Sequence, residues 1–224
     1  MDSFFSHFTL KVIPSIYLKD PETSKLGKRI IEGSINLIDA FGFDNFTFKK
    51  LADEIDSTES SIYRYFENKH KLLLYLTSWY WAWLESHLLY NIINVEDNKE
   101  QLKRAIRILT KKVEEDGSFS HINEIKLNQI IITESSKSYM HKDVDVENKE
   151  GAFLGYKSIV AKVAEIITVI NPKYKYPNML ISTIIEGAHH QRFFQDHLPR
   201  LSNNYKDEDT VSDFYAEMVL KVIC

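Results

Sequence analysis

Apolar residues recur at helical spacing along nearly the whole chain. Ile30, Ile31, Ser34, Ile35, Ile38 and Phe41 fall three and four apart and predict an amphipathic helix over about 22–41. Asp20, Pro21 and Glu22 read as its N-cap, a first-turn proline and an acid at the positive end of the dipole, and Gly42 stands where a left-handed C-cap is wanted. Thr47 caps a short second helix, FKKLADEI, with Phe48, Leu51, Ala52 and Ile55 on one face. After the turn at Asp56 and Ser57, a third short helix runs from about Thr58 to Tyr65. Asn68 caps a fourth, in which Leu72, Leu73, Leu76, Trp79, Tyr80, Trp83, Leu84 and His87 keep helical period to about Ile93. At 1.5 Å per residue this helix is about 38 Å long. Further helices are expected over about 98–115, 120–140, 150–170, 178–198 and 208–222. Their separators are Gly117-Ser118, the charged run HKDVDVENKEG, Asn171-Pro172 with Pro177, and Pro199.

The predicted fold is therefore all-α, with an N-terminal three-helix region and a larger C-terminal helical part. The expected divisions are an extension over 1–20, a helix-turn-helix domain over 21–67 and a helical domain over 68–224. In the extension, Phe4, Phe5 and Phe8 outweigh the cations Lys11 and Lys19 and point to packing.

Composition refines this picture in three places. Seven Gly and five Pro are scarce for 224 residues, which favours long helices. The single cysteine, Cys224, permits no intrachain disulfide and fits a reducing compartment. Acidic Asp2, Lys11 and Pro14 argue against a signal peptide, and no apolar run approaches membrane-spanning length, so a cytoplasmic protein is expected. The net charge of −4 leaves a local basic surface open.

Two short helices joined by a tight turn, with a third ahead of them, form a helix-turn-helix, whose second short helix enters the DNA major groove. Here that helix is TESSIYRY. Ile62 and Phe66 would face the core with Leu51 and Ile55, leaving Glu59, Ser60, Ser61, Tyr63 and Arg64 to solvent or DNA. Hydroxyls, a guanidinium and helix-start N–H groups are suited to holding phosphates, and Thr47, Lys49, Lys50 and Lys69 flank the same helix. As base readers, Arg64 suits guanine, Glu59 suits cytosine N4, and Ser60 and Ser61 suit either base type.

These residues resemble the TetR family of transcriptional regulators. The resemblance rests on AFGF (Ala40 to Phe43), on TFKKLADEI, and on SSIYRYFENKHKLL, in which an aromatic pair precedes the lysine that opens the fourth helix. It covers about residues 25–75. It implies a homodimer binding a near-palindromic operator, and a C-terminal domain that holds a small-molecule inducer and releases DNA. By position, Tyr63, Lys69 and Thr47 resemble phosphate contacts, and Thr58 or Ser57 the cap of the recognition helix. Asp56 and Ser57 depart from the usual glycine and small apolar residue at the turn, and Ser60 stands where glycine is common. Residues 21–72 carry eight Lys and Arg against nine Asp and Glu, which is acidic for a DNA-binding domain.

In the C-terminal part, Trp79, Tyr80, Trp83 and His87, with Glu186 and His189, are candidate lining residues of a ligand pocket. Phe153, Tyr156, Val160, Val163 and Ile167 on one helix, and Ile181, Ile184, Ile185 and Ala188 on another, are the candidate dimer interface. Glu186 and His189 also form a Glu-x-x-His, the spacing of di-iron bundles, but the only other match, Glu67 to His70, falls at a turn. The expectation is accordingly no enzyme, no metal and no cofactor. The competing readings are a helical di-iron metalloenzyme and a helix-turn-helix adaptor of little sequence specificity.

Overall fold

The structure, a computed structural model, describes residues 12–223 apart from 116 and 118. The expectations for Phe4, Phe5, Phe8, Lys11 and Cys224 lie outside the described residues. Among these residues there are helices and no strands. They are α1 (Lys25–Asn45), α2 (Phe48–Glu54), α3 (Glu59–Tyr63), α4 (Lys69–Ile92), α5 (Asn98–Thr110), α6 (Glu124–Glu134), α7 (Ser136–Tyr139), α8 (Val144–Lys149), α9 (Leu154–Ile170), α10 (Pro177–His197) and α11 (Thr210–Ile223). No helix among them is long and apolar enough to cross a membrane.

The chain forms two compact units. One comprises residues up to Ala82 together with Val113–Leu154, and the other Trp83–Lys112 with Gly155 onward. Helix α4 gives residues 69–82 to the first and 83–92 to the second.

In the first unit, Ile30, Ile31, Ile35 and Ile38 of α1 are buried together with Leu51 of α2, Ile62 of α3 and Phe66. The predicted start of α1 needs correction. Asp20 accepts from the Glu22 N–H and caps only a 3-10 turn over Pro21–Thr23, whereas α1 begins at Lys25 with Ser24 accepting from Gly27 N–H at 3.0 Å. At its far end Gly42 breaks the helix at φ 76° and ψ 157°, a region open to glycine alone, and the chain turns once more to Asn45.

That break frees backbone groups, and two other elements satisfy them. The Phe43 N–H donates to Glu134 Oε1 of α6 at 3.1 Å. Lys69 Nζ donates to the carbonyls of Phe43, Asp44 and Phe46 at 3.0, 3.2 and 3.2 Å. Lys137 Nζ bridges Asp44 and Glu134 at 2.8 and 2.9 Å. The end of α1 is thus tied to α6 and to the first residue of α4.

The second unit is built on α5, α10 and α11. Leu102, Ala105 and Ile106 of α5, Ile181, Ile184 and Ile185 of α10, and Val211 and Val219 of α11 are all buried. Arg192 of α10 fastens them, donating from Nη2 to Thr110 O at 2.6 Å and to Asp209 Oδ1 at 2.5 Å. Burial works to raise the Asp209 pKa, but the hydrogen bond and charge of Arg192 and the hydrogen bonds from Ser212 together outweigh it, and the carboxyl is held below its usual range.

Three predicted helices end elsewhere. The 98–115 helix stops at Thr110, where Lys111 is extended. The 120–140 helix divides into α6 and α7 at Ser135. The charged run expected as a separator contains α8, so the 150–170 helix begins at Leu154.

Candidate nucleic-acid interface

Helices α2 and α3, their flanking residues and the turn between them carry the predicted DNA-contact residues except Lys69, which opens α4. Thr47 caps α2 by accepting from Lys50 N–H at 3.2 Å, and Thr58 caps α3 by accepting from Ser61 N–H at 3.3 Å. Of the two candidate caps of α3, Thr58 therefore fills the place. Asp56 takes φ 45° in the turn, the left-handed conformation an aspartate tolerates in place of glycine.

Anchors and outward groups separate cleanly on α3. Ile62 and Phe66 are fully buried, and Tyr65 is buried with its hydroxyl 2.7 Å from Ser24 Oγ. Thr47, Lys49, Thr58, Glu59, Ser60, Tyr63 and Arg64 are exposed, while Ser61 and Lys69 are half-buried. Tyr63 is 48% exposed, yet its ring stands edge-on to Phe48 at 5.0 Å, which fixes where its hydroxyl points. The Thr58 hydroxyl lies 3.0 and 2.9 Å from those of Ser60 and Ser61, a polar cluster at the start of the helix. Lys69 differs from the others, because its three carbonyl acceptors use all three ammonium donors.

The six ligand-pocket candidates divide between the units, Trp79 and Tyr80 in the first and Trp83, His87, Glu186 and His189 in the second. Trp79, Tyr80, Trp83 and His189 are buried. The Trp79 ring stands edge-on to Phe119 at 5.0 Å, and the Tyr80 hydroxyl accepts from Asn128 at 2.8 Å. Glu186 accepts from the Tyr156 hydroxyl at 3.0 Å. Burial holds His189 well below the usual imidazole range, at about 4, although the Glu186 charge works to raise it. A cavity of about 190 Å³ opens beside Gln191, Leu201 and Phe214 in the second unit, and one of about 240 Å³ beside Asn36, Phe119 and Lys126 in the first. None of the six candidates lines either.

Of the dimer-interface candidates, Val163, Ile167, Ile181, Ile184, Ile185 and Ala188 are buried by the chain's own packing. Phe153, Tyr156 and Val160 keep partial exposure, and Val169 and Met179 are exposed apolar residues on the same two helices.

Among the described residues, the one group of three side chains able to share a metal ion is His70, His141 and Glu147. Glu186 and His189 are not part of it. Sequence reading missed this group because 70, 141 and 147 share no ligand spacing, and only the fold brings them together.

These features define a helix-turn-helix domain joined to a second helical unit. Residues 30–76 match the family model described as bacterial regulatory proteins, tetR family. Solved structures of the same fold include the fatty acid degradation regulator FadR from Bacillus halodurans, 14% identical over 87% of this chain and 93% of that one, with a TM-score of 0.60. AibR in complex with isovaleryl coenzyme A and operator DNA is 14% identical over 86% and 96%, with a TM-score of 0.57. FadR from Bacillus subtilis in complex with stearoyl-CoA is 16% identical over 88% and 98%, also with a TM-score of 0.57. Among curated proteins no relative is found.

Proposed function

We propose that the protein is a homodimeric transcriptional repressor that binds a near-palindromic operator and is released from it by a small-molecule ligand. Residues 21–67 would form the DNA-binding domain, and residues 68–224 would hold the ligand and the dimer contact. The observation that carries this reading is the outward row Thr47, Lys49, Thr58, Glu59, Ser60, Ser61, Tyr63 and Arg64, mounted on a turn whose inward residues are buried. In it, Tyr63, Thr47 and Lys49 are phosphate contacts that set the register, while Arg64, Glu59, Ser60 and Ser61 meet base edges. Lys69 fixes the rim of this surface through the carbonyls at the end of α1. A two-fold dimer formed through exposed residues of α9 and α10 would set two α3 helices about 34 Å apart, one turn of DNA.

The position of α6 supports a route for release. It packs on α1 within the DNA-binding unit, and its Glu134 holds the Phe43 N–H. A ligand that fits a shifted α6 better than this one moves α1, by no more than its differential affinity for the two arrangements. The complexes of AibR and the Bacillus subtilis FadR make acyl-CoA thioesters the first ligands to try.

The test is selection of bound duplexes from a random DNA library at two salt concentrations. The reading expects one enriched palindrome, released by an acyl-CoA or another small molecule. A pool without enrichment, lost at moderate salt, would replace the repressor with the nonspecific adaptor.

A further inference from the structure

Three residues from separate segments of the first unit converge on one point. His70 is the second residue of α4, His141 follows α7, and Glu147 lies on α8. Glu147 is 5% exposed, so its carboxylate charge sits inside the protein. His70 Nε2 lies 3.1 Å from each of its oxygens, and His141 Nε2 lies 3.0 Å from Oε2. The two imidazole rings stand 4.5 Å apart at 70°.

We propose that His70, His141 and Glu147 form a binding site for a first-row divalent cation, with zinc the best match. Two imidazoles and one carboxylate are a common zinc donor set, leaving a fourth tetrahedral position for water. With bonds of about 2.1 Å, neighbouring ligand atoms in a tetrahedral zinc site stand about 3.4 Å apart. The separations to Glu147 are already within a few tenths of an ångström of that, and all three ligand atoms lie within 4.8 Å of one another.

The surroundings fit this use. Oε2 is the oxygen both imidazoles approach, while Oε1 is taken by Lys71 Nζ at 3.2 Å, so the lysine orients the carboxylate without occupying the ligating atom. Lys71 also lies 3.6 Å from Glu150, whose charge offsets part of the added positive charge. The ion exchanges one set of hydrogen bonds for another. His141 Nε2 now lies 3.2 Å from Ser138 O, and its Nδ1 accepts from Asp143 N–H at 3.3 Å. When Nε2 binds the ion, its proton passes to Nδ1, and the Asp143 amide at the start of α8 turns away. The metal-bound and metal-free forms therefore differ at 141–144, and the ion joins that segment to the start of α4.

The site is independent of the repressor reading, and its test does not involve DNA. The full chain is dialysed against zinc chloride, then washed, and its metal content is measured by mass spectrometry. Cobalt(II) is added separately to read coordination geometry from its visible spectrum. The expected result is one zinc per chain and an intense tetrahedral cobalt spectrum. His141→Ala and Glu147→Gln should weaken binding by at least about a hundredfold, whereas His190→Ala on α10 should leave it unchanged. Helical circular dichroism shows which variants are folded. If one fails to fold, the cobalt spectrum of the intact chain still decides. Substoichiometric zinc, an octahedral cobalt spectrum in the intact chain, or equal binding by the folded variants would overturn the proposal.

Discussion

The Phe43 N–H donates to Glu134 Oε1 across 3.1 Å, joining residues that stand 91 apart in the chain. The bond exists because Gly42 leaves helical geometry and strips Phe43 of an intrahelical acceptor. A carboxylate from α6 replaces it. The same carboxylate meets Lys137 through Oε2 at 2.9 Å. Burial works to lower the Lys137 pKa, but its hydrogen bonds to Asp44 and Glu134 leave it raised.

Glu134→Ala should accordingly cost about 1–3 kcal/mol, the penalty for a buried N–H left without a partner. Glu134→Gln keeps an oxygen acceptor and should lose less. Urea midpoints of the three proteins at one pH check the order. Equal midpoints for wild type and Glu134→Ala would mean that the bond adds nothing to stability.

Tyr63 and Lys69 should separate in their effects. Tyr63→Phe removes an outward hydroxyl, so operator affinity should fall about threefold to tenfold with the urea midpoint unchanged. Lys69→Ala removes three bonds to the end of α1, so it should lower stability by about 1–3 kcal/mol and weaken DNA binding through loss of position. An unchanged urea midpoint for Lys69→Ala, with affinity reduced, would make its ammonium a direct phosphate contact instead.

Gly27 is required by a close approach. A Cβ there would stand 2.2 Å from the carbonyl oxygen of Pro21 and 2.5 Å from its Cα, both backbone atoms. Gly27→Ala should push the Pro21–Thr23 turn off α1 and cost about 1–3 kcal/mol, despite alanine's better helix propensity. A thermal melt no lower than that of wild type would show that the turn moves freely.

How far the sequence carried follows from which of these relations are local. The caps Thr47 and Asn68 were legible, and Thr58 was one of two candidates, because each bonds an N–H three residues on. The anchors Ile62 and Phe66 were legible from a spacing of four. Asp20 misled because aspartate, proline and glutamate in succession start a 3-10 turn as well as an α-helix, and Ser24, the actual cap of α1, stands one turn later. Helix α8 was hidden in a charged run, since only Glu147 turns inward and it is itself an acid. Apolar period also leaves open whether a face is covered by the chain itself or by a second copy. Ile181, Ile184 and Ile185 fit either from sequence, and the chain itself buries them. The His70, His141 and Glu147 group depends on tertiary packing and left no local signature.

His189 should give the second unit a pH dependence of stability. Burial holds its imidazole at about 4 in the folded chain, against about 6.5 when unfolded. The Glu186 charge opposes this shift and that of His190 adds to it. Because the folded pKa is the lower one, the unfolded chain takes up the proton first as pH falls. Stability is therefore unaffected by His189 above about pH 6.5, and declines from there to about 4 by roughly 1.4 kcal/mol per pH unit, about 3 kcal/mol in all. His189→Gln removes the titration while keeping a polar side chain of similar length. Urea unfolding from pH 7.5 to 4.5 should show the stability difference between the two proteins changing in favour of the variant as the pH drops. Parallel curves would mean that the imidazole takes up its proton in the folded chain as readily as in the unfolded one.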